Sequence, residues 1–132
     1  MSGTAFFDSN VPLYLICADE AKAARAEALM AAGGTISVQV LNEFVAVARR
    51  KHGAPWPAIH ELLAGFKALC TVQPLTLATH EKAAALAERY GLHVYDACIV
   101  ASAIGAGCER LYSEDLQHGQ RIESVTVIDP LR

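Results

Sequence analysis

Short runs rich in aromatic and β-branched residues alternate along this chain with longer stretches of helical spacing, and that alternation narrows the possible folds most. Residues 4–8 (TAFFD) and 34–40 (GTISVQV) read as strands. Between them, residues 19–32 (DEAKAARAEALMAA) form an Ala-rich segment stopped by Gly33 and Gly34, which suits a helix. A second helix is expected from about Val40 to the cluster Arg49, Arg50, Lys51 and His52, whose charges complement a helix C-terminus before Gly53. After Pro55 and Pro57, residues 58–70 set Ile59, Leu62, Leu63, Phe66 and Leu69 at helical spacing. Residues 71–75 (TVQPL) read as a short strand, and 79–91 as a helix with Thr79 as N-cap and Gly91 as stop. Residues 93–107 (HVYDACIVASAIGAG) give a last helix of small apolar side chains, followed by strands in 109–115 (ERLYSED) and 125–129 (VTVID). Parallel strands need crossover connections, and helices between short strands supply them. The expected fold is therefore α/β, a three-layer sandwich with a central mainly parallel sheet flanked by helices, formed by one domain over residues 1–132.

In sheets of this kind ligands gather at the carboxyl ends of the strands, and several acids are expected there. Asp8 ends the first strand, Glu43 lies one turn into the helix after the second, and Asp115 follows the ERLYS run. Asp96 stands near the start of the last helix, where its apolar neighbours suggest an inward side chain. For any one of these acids, a cap or a turn is the simpler explanation. Four together, each embedded in an apolar run, point to a shared pocket. Carboxylates crowded together raise one another's pKa and call for a cation. No lysine or arginine neighbours three of the four in sequence, so a hard divalent ion with oxygen ligands, Mg²⁺ or Mn²⁺, is the natural partner. Such an ion activates water and stabilises displacement at phosphorus.

Composition restricts the alternatives. Eleven Lys and Arg against 14 Asp and Glu give a net charge of −3, so a nucleic acid has to be bound locally and not by a basic field over the whole molecule. No cationic segment precedes an apolar one at the N-terminus and no long apolar span occurs, so neither a leader nor a membrane helix is expected. Cys17, Cys70, Cys98 and Cys108 lack metal or redox spacing and read as reduced residues of a cytoplasmic protein. The segment 105–110 (GAGCER) closes a helix where a dinucleotide fingerprint would open one, so its glycines read as helix termination. Trp56, between two prolines, reads as a packed cap and not as a stacking platform. His118, a lone loop histidine beyond Asp115, reads as exposed.

With these residues in place, the sequence resembles the PIN domain family, and within it the VapC-like toxin ribonucleases. The likeness rests on FFDSNVPLYL, VQVLNEFVAVARR, VYDACIVASAIGAGCERLYSEDLQHG and VTVIDP in that order. The resemblance implies a metal-dependent endoribonuclease whose acidic quartet is Asp8, Glu43, Asp96 and Asp115. It makes Asp8, Asp96 and Asp115 the metal ligands and gives Glu43 a water on the ion or a second ion. Ser9, Asn10 and Ser113 match the small polar residues that support the cluster. It further implies an RNA substrate, a cognate antitoxin and a homodimer. Arg49, Arg50, Lys51 and Arg121 are candidates for a basic rim that tracks the RNA backbone, although ordinary surface charge explains them equally well.

Other classes are weighed against this reading. A phosphoryl-receiving signalling domain also gathers acids around Mg²⁺, but needs a lysine at the end of a late strand, and no lysine follows Lys82. A non-catalytic module on the same fold would keep the acids for structure and would not need an ion. A DNA nuclease would use the same chemistry, the choice of sugar being made by pocket geometry.

Overall fold

A computed structural model describes residues 5–132 of the protein. The elements run β1 (Ala5–Phe7), α1 (Asn10–Tyr14), α2 (Glu20–Ala31), β2 (Gly34–Ser37), α3 (Val38–Arg50), α4 (Trp56–Leu69), β3 (Cys70–Gln73), α5 (Leu77–Tyr90), α6 (Val94–Gly105), β4 (Arg110–Tyr112), β5 (Arg121–Ile122) and β6 (Val125–Ile128). Thr4, which the sequence assigns to the first strand, and the N-terminal segment before it lie outside the described residues.

Capping chemistry sets most of the boundaries. Asp19 Oδ1 accepts from the amides of Ala21 and Lys22 and opens α2. Ser37 Oγ accepts from Val40 N at 3.3 Å, so the chain passes from strand to helix at Ser37 with no loop between. The sequence reading that carries the strand to Val40 is thus corrected: Val38, Gln39 and Val40 are the first turn of α3. The periodicity agrees, since Val40, Phe44 and Ala48 are buried at i, i+4 and i+8. Thr76, not Thr79, caps α5; Thr79 is the other half of a capping box, each Oγ1 accepting from the other residue's amide. Gly91 ends that helix with φ 68°, a left-handed conformation that favours glycine.

The six strands form one sheet in the order β3-β2-β1-β4-β6-β5. All neighbours are parallel except β5 and β6, so the sheet is mixed, as the central layer of an α/β sandwich. The first three strands build outward in one direction from β1, and the fourth returns to its other side. That reversal makes the gap between the ends of β1 and β4 a topological switch point, where an α/β sheet opens a crevice. Phe6, Phe7, Ile36, Leu111 and Val127 from the strands pack against Phe44, Ile59, Phe66, Leu86 and the small buried face of α6. Phe44 and Phe66 meet edge to face at 4.9 Å and join α3 to α4. Gly34 leaves room for the Phe7 ring, because a Cβ there would come within 2.7 Å of it. Three of the four free cysteines are buried, Cys17 being partly open.

Candidate metal centre

Asp8 stands directly after β1, and Asp115 three residues after β4, so the switch point brings them together although 107 positions separate them in the sequence. Asp96 is the third residue of α6. One carboxylate oxygen from each of Asp8, Asp96 and Asp115 lies within 4.8 Å of the others. Glu43 is outside that group but near enough that the charge on Asp8 raises its pKa.

The surroundings of these acids are built from uncharged donors. Asp8 is 2 % exposed. Its Oδ1 accepts from Ser9 N at 2.6 Å and from Ser9 Oγ at 3.4 Å, and its Oδ2 from Ser113 Oγ at 2.7 Å. Ser113 Oγ in turn accepts from Asp115 N at 3.2 Å, so one hydroxyl ties two of the acids. Asn10 Nδ2 donates to Asp115 Oδ2 at 3.3 Å. Ser9, Asn10 and Ser113 therefore each hydrogen-bond to an acid of this group.

All four acids are harder to ionise than usual. Burial pushes Asp8 up to about 6, against the lowering effect of its Ser113 and Ser9 hydrogen bonds, with the charges of Asp115 and Asp96 adding to the rise. Burial, then the charge on Asp8, pushes Glu43 up to about 7, although Gln39 beside it acts in the opposite sense. Asp96 is raised by burial and by Asp115, and Asp115 by burial and by Glu114. Four acids in this state form a negative pocket short of positive charge. Two buried oxygens at the pocket, Glu43 Oε1 and Asn10 Oδ1, have no hydrogen-bond partner among the described residues. Crowded carboxylates, hard oxygen donors and spare acceptors fit a divalent cation with its water ligands.

Not every candidate joins the pocket. Arg121 pairs with Thr126, which pairs with Arg110, the first residue of β4. That register sets Arg121 at the amino ends of the parallel strands, the edge opposite the acids, so it does not share their rim. Arg49, Arg50 and Lys51 lie at the far end of α3, about two turns beyond Glu43. Trp56, read from sequence as a packed cap, is 46 % exposed. His118 is exposed and its Nδ1 accepts from Asp129 N at 2.9 Å, which commits that nitrogen to holding the loop after β4.

Three neighbours escaped the sequence reading. Gln39 precedes Glu43 by four residues on α3, a helical spacing hidden when residue 39 is taken for strand. Tyr14 follows Asn10 by four residues on α1, and burial, the neighbouring Glu114 carboxylate and the charge on Asp115 all hold its hydroxyl protonated. His93 caps α6, three residues before Asp96, by accepting from Tyr95 N at Nδ1.

No curated protein sequence matches the chain. Among solved structures it is similar to VapC20 of Mycobacterium tuberculosis, a sarcin-ricin loop cleaving toxin, at 22% identity over 83% of this chain and 88% of that one, with a TM-score of 0.69. A toxin-antitoxin complex from Klebsiella pneumoniae shares 21% identity over 96% and 97%, with a TM-score of 0.72. VapBC2 of Rickettsia felis, bound to a DNA fragment from their promoter, shares 18% over 93% and 96%, with a TM-score of 0.65. At these identities the likeness is one of fold. Residues 5–121, all but the chain's two ends, match the PIN domain, and the protein belongs to the PIN domain family.

Proposed function

We propose that the protein is a metal-dependent endoribonuclease, the toxin of a toxin–antitoxin pair, with Asp8, Glu43, Asp96 and Asp115 as its catalytic acids. The observation that carries this reading is the convergence of three carboxylates from three separate segments at the switch point, amid uncharged donors and spare acceptor oxygens. Asp8, Asp96 and Asp115 would hold Mg²⁺ or Mn²⁺. When bound, such an ion supplies Lewis acidity toward a phosphodiester and makes water more acidic.

The chain's own residues do the positioning. Ser9 and Ser113 fix the Asp8 carboxylate through both oxygens, and Asn10 holds Asp115. The N-terminus of α6 favours Asp96 as an anion despite its partial burial. Glu43 Oε1, buried and unpartnered, is the atom suited to take the proton of an attacking water. The similar structure from Klebsiella pneumoniae is a toxin-antitoxin complex, which supports an antitoxin as protein partner here. The resemblance adds a homodimer, and the cysteines, read as reduced, a cytoplasmic setting. No helix among the described residues is long and apolar enough to cross a membrane.

The test is cleavage of mixed cellular RNA by the purified, antitoxin-free protein with Mg²⁺ or Mn²⁺, with EDTA, and after Asp96→Asn. The expected outcome is metal-dependent cutting that falls ~100-fold or more in the variant. A folded protein that neither binds the ion nor cuts RNA would overturn the assignment and leave a non-catalytic module on the PIN fold.

A further inference from the structure

The far end of α3 bears a surface that the acid cluster does not explain. Arg49, Arg50 and Lys51 supply three of the chain's 11 basic residues, and no acidic residue occurs from Phe44 to His60. Complementing the helix dipole accounts for cations in the last turn, but it does not account for the aromatic residue beside them. Trp56 opens α4 with nearly half its surface free. The Arg49 guanidinium carbon lies 5.0 Å from its ring centroid, and Arg49 Nη1 donates to Ala54 O at 3.0 Å, which fixes the fork in place. One turn along α4, His60 brings its ring to 5.8 Å from that of Trp56 at 31°. Indole, imidazole and guanidinium thus make a held group of flat faces inside an acid-free segment.

Charge and shape together select the occupant. A core contact would bury the indole, and an apolar partner would have to desolvate three cations around it. A polyanion with exposed π-faces satisfies both parts, and single-stranded nucleic acid is such a ligand. Arg50 follows Glu43 by seven residues and so lies on the same face of α3, about 10 Å further along the axis. That distance corresponds to roughly three nucleotides at a stacked rise of ~3.4 Å each.

We propose that Trp56 is a base-stacking platform for an unpaired nucleotide, with Arg49, Arg50 and Lys51 holding the neighbouring phosphates. That the strand is the RNA to be cut rests on the nuclease reading above; the platform itself does not.

Trp56 is the chain's only tryptophan, so the unmodified protein carries its own reporter. Its emission is followed while unstructured hexauridylate or hexaadenylate is added in low-salt EDTA buffer, which keeps the strand intact, and binding is read in parallel by anisotropy of an end-labelled strand. Saturable quenching that tracks the anisotropy is expected. Trp56→Ala should weaken binding about tenfold and Trp56→Phe less than about threefold, since an aromatic face is retained. Strand binding with unchanged emission, equal affinity of the Trp56→Ala protein, equal quenching by a duplex of the same length, or no binding would each overturn the platform. Metal-dependent cleavage alongside unmoved emission removes the platform and leaves the nuclease, whereas quenching without cleavage does the reverse.

Discussion

Asp8 is the acid on which the local chemistry converges. It is almost wholly buried, accepts hydrogen bonds from Ser9 and Ser113, and still has its pKa raised from 3.8 to about 6. A carboxyl whose pKa is higher in the folded than in the unfolded state gives stability that is fully present below the unfolded value, and this stability is lost as pH rises through the folded one. The gap corresponds to about 3 kcal/mol. Glu43, raised to about 7, extends the loss toward neutrality. In EDTA the protein should therefore become less stable between about pH 4 and 7. Asp8→Asn should flatten that slope and unfold at a higher urea concentration than the parent at pH 8, and urea melts at pH 5 and pH 8 measure both effects. A variant less stable than the parent at pH 8 would show that the hydrogen bonds to Asp8 outweigh the cost of its buried charge. The acids of this pocket are legible in the sequence because each interrupts an apolar run at the end of a strand or the start of a helix. Gln39 and Tyr14 are not, since glutamine and tyrosine are ordinary on a helix surface and only their spacing from Glu43 and Asn10 marks them.

At the level of elements, the alternation of strand and helix is legible because α2 to α6 each run for 12 residues or more, with helical spacing in α3 and α4 and Ala-rich or small apolar composition in α2 and α6. The five-residue α1 and the two-residue β5 are too short to show a period. β5 hides for a second reason. It joins β6 through a tight turn in which Glu123 takes a positive φ of 53°, without the Asn-Gly or Asp-Gly pair by which such hairpins announce themselves. Missing that reversal is what put Arg121 on the rim of the acids when the sheet carries it to the opposite edge. The capping box of α5 gives a test at this scale. Thr76→Ala should cost about 1 kcal/mol and lower the melting temperature by about 3–5 °C, with RNA cleavage per folded molecule unchanged because α5 contributes no acid to the pocket. Calorimetry and the cleavage assay on the same preparation read the two halves of this expectation.

For the molecule as a whole, the pocket couples a cation to the folded state. The ligand oxygens come together only when the sheet is complete, so an ion that binds there stabilises the folded form by mass action, about 2.7 kcal/mol at a concentration 100 times its dissociation constant. Mg²⁺ or Mn²⁺ at that concentration and pH 7.5 should raise the melting temperature by about 8–13 °C, and Asp96→Asn should lose most of that gain in differential scanning fluorimetry. An equal gain in parent and variant would locate the ion elsewhere on the surface. Synthesis order adds a different consequence of the same strand arrangement. β1 is made first yet lies inside the sheet, and one of its two neighbours, β4, is made only at residues 110–112. As the chain leaves the ribosome, β1, β2 and β3 and their helices can associate while Asp8 still lacks Ser113 and Asp115. A nascent chain that stops short of residue 113 thus carries most of these acids with no means of gathering them, and the timing of translation itself withholds the pocket until Ser113 and Asp115 have been made.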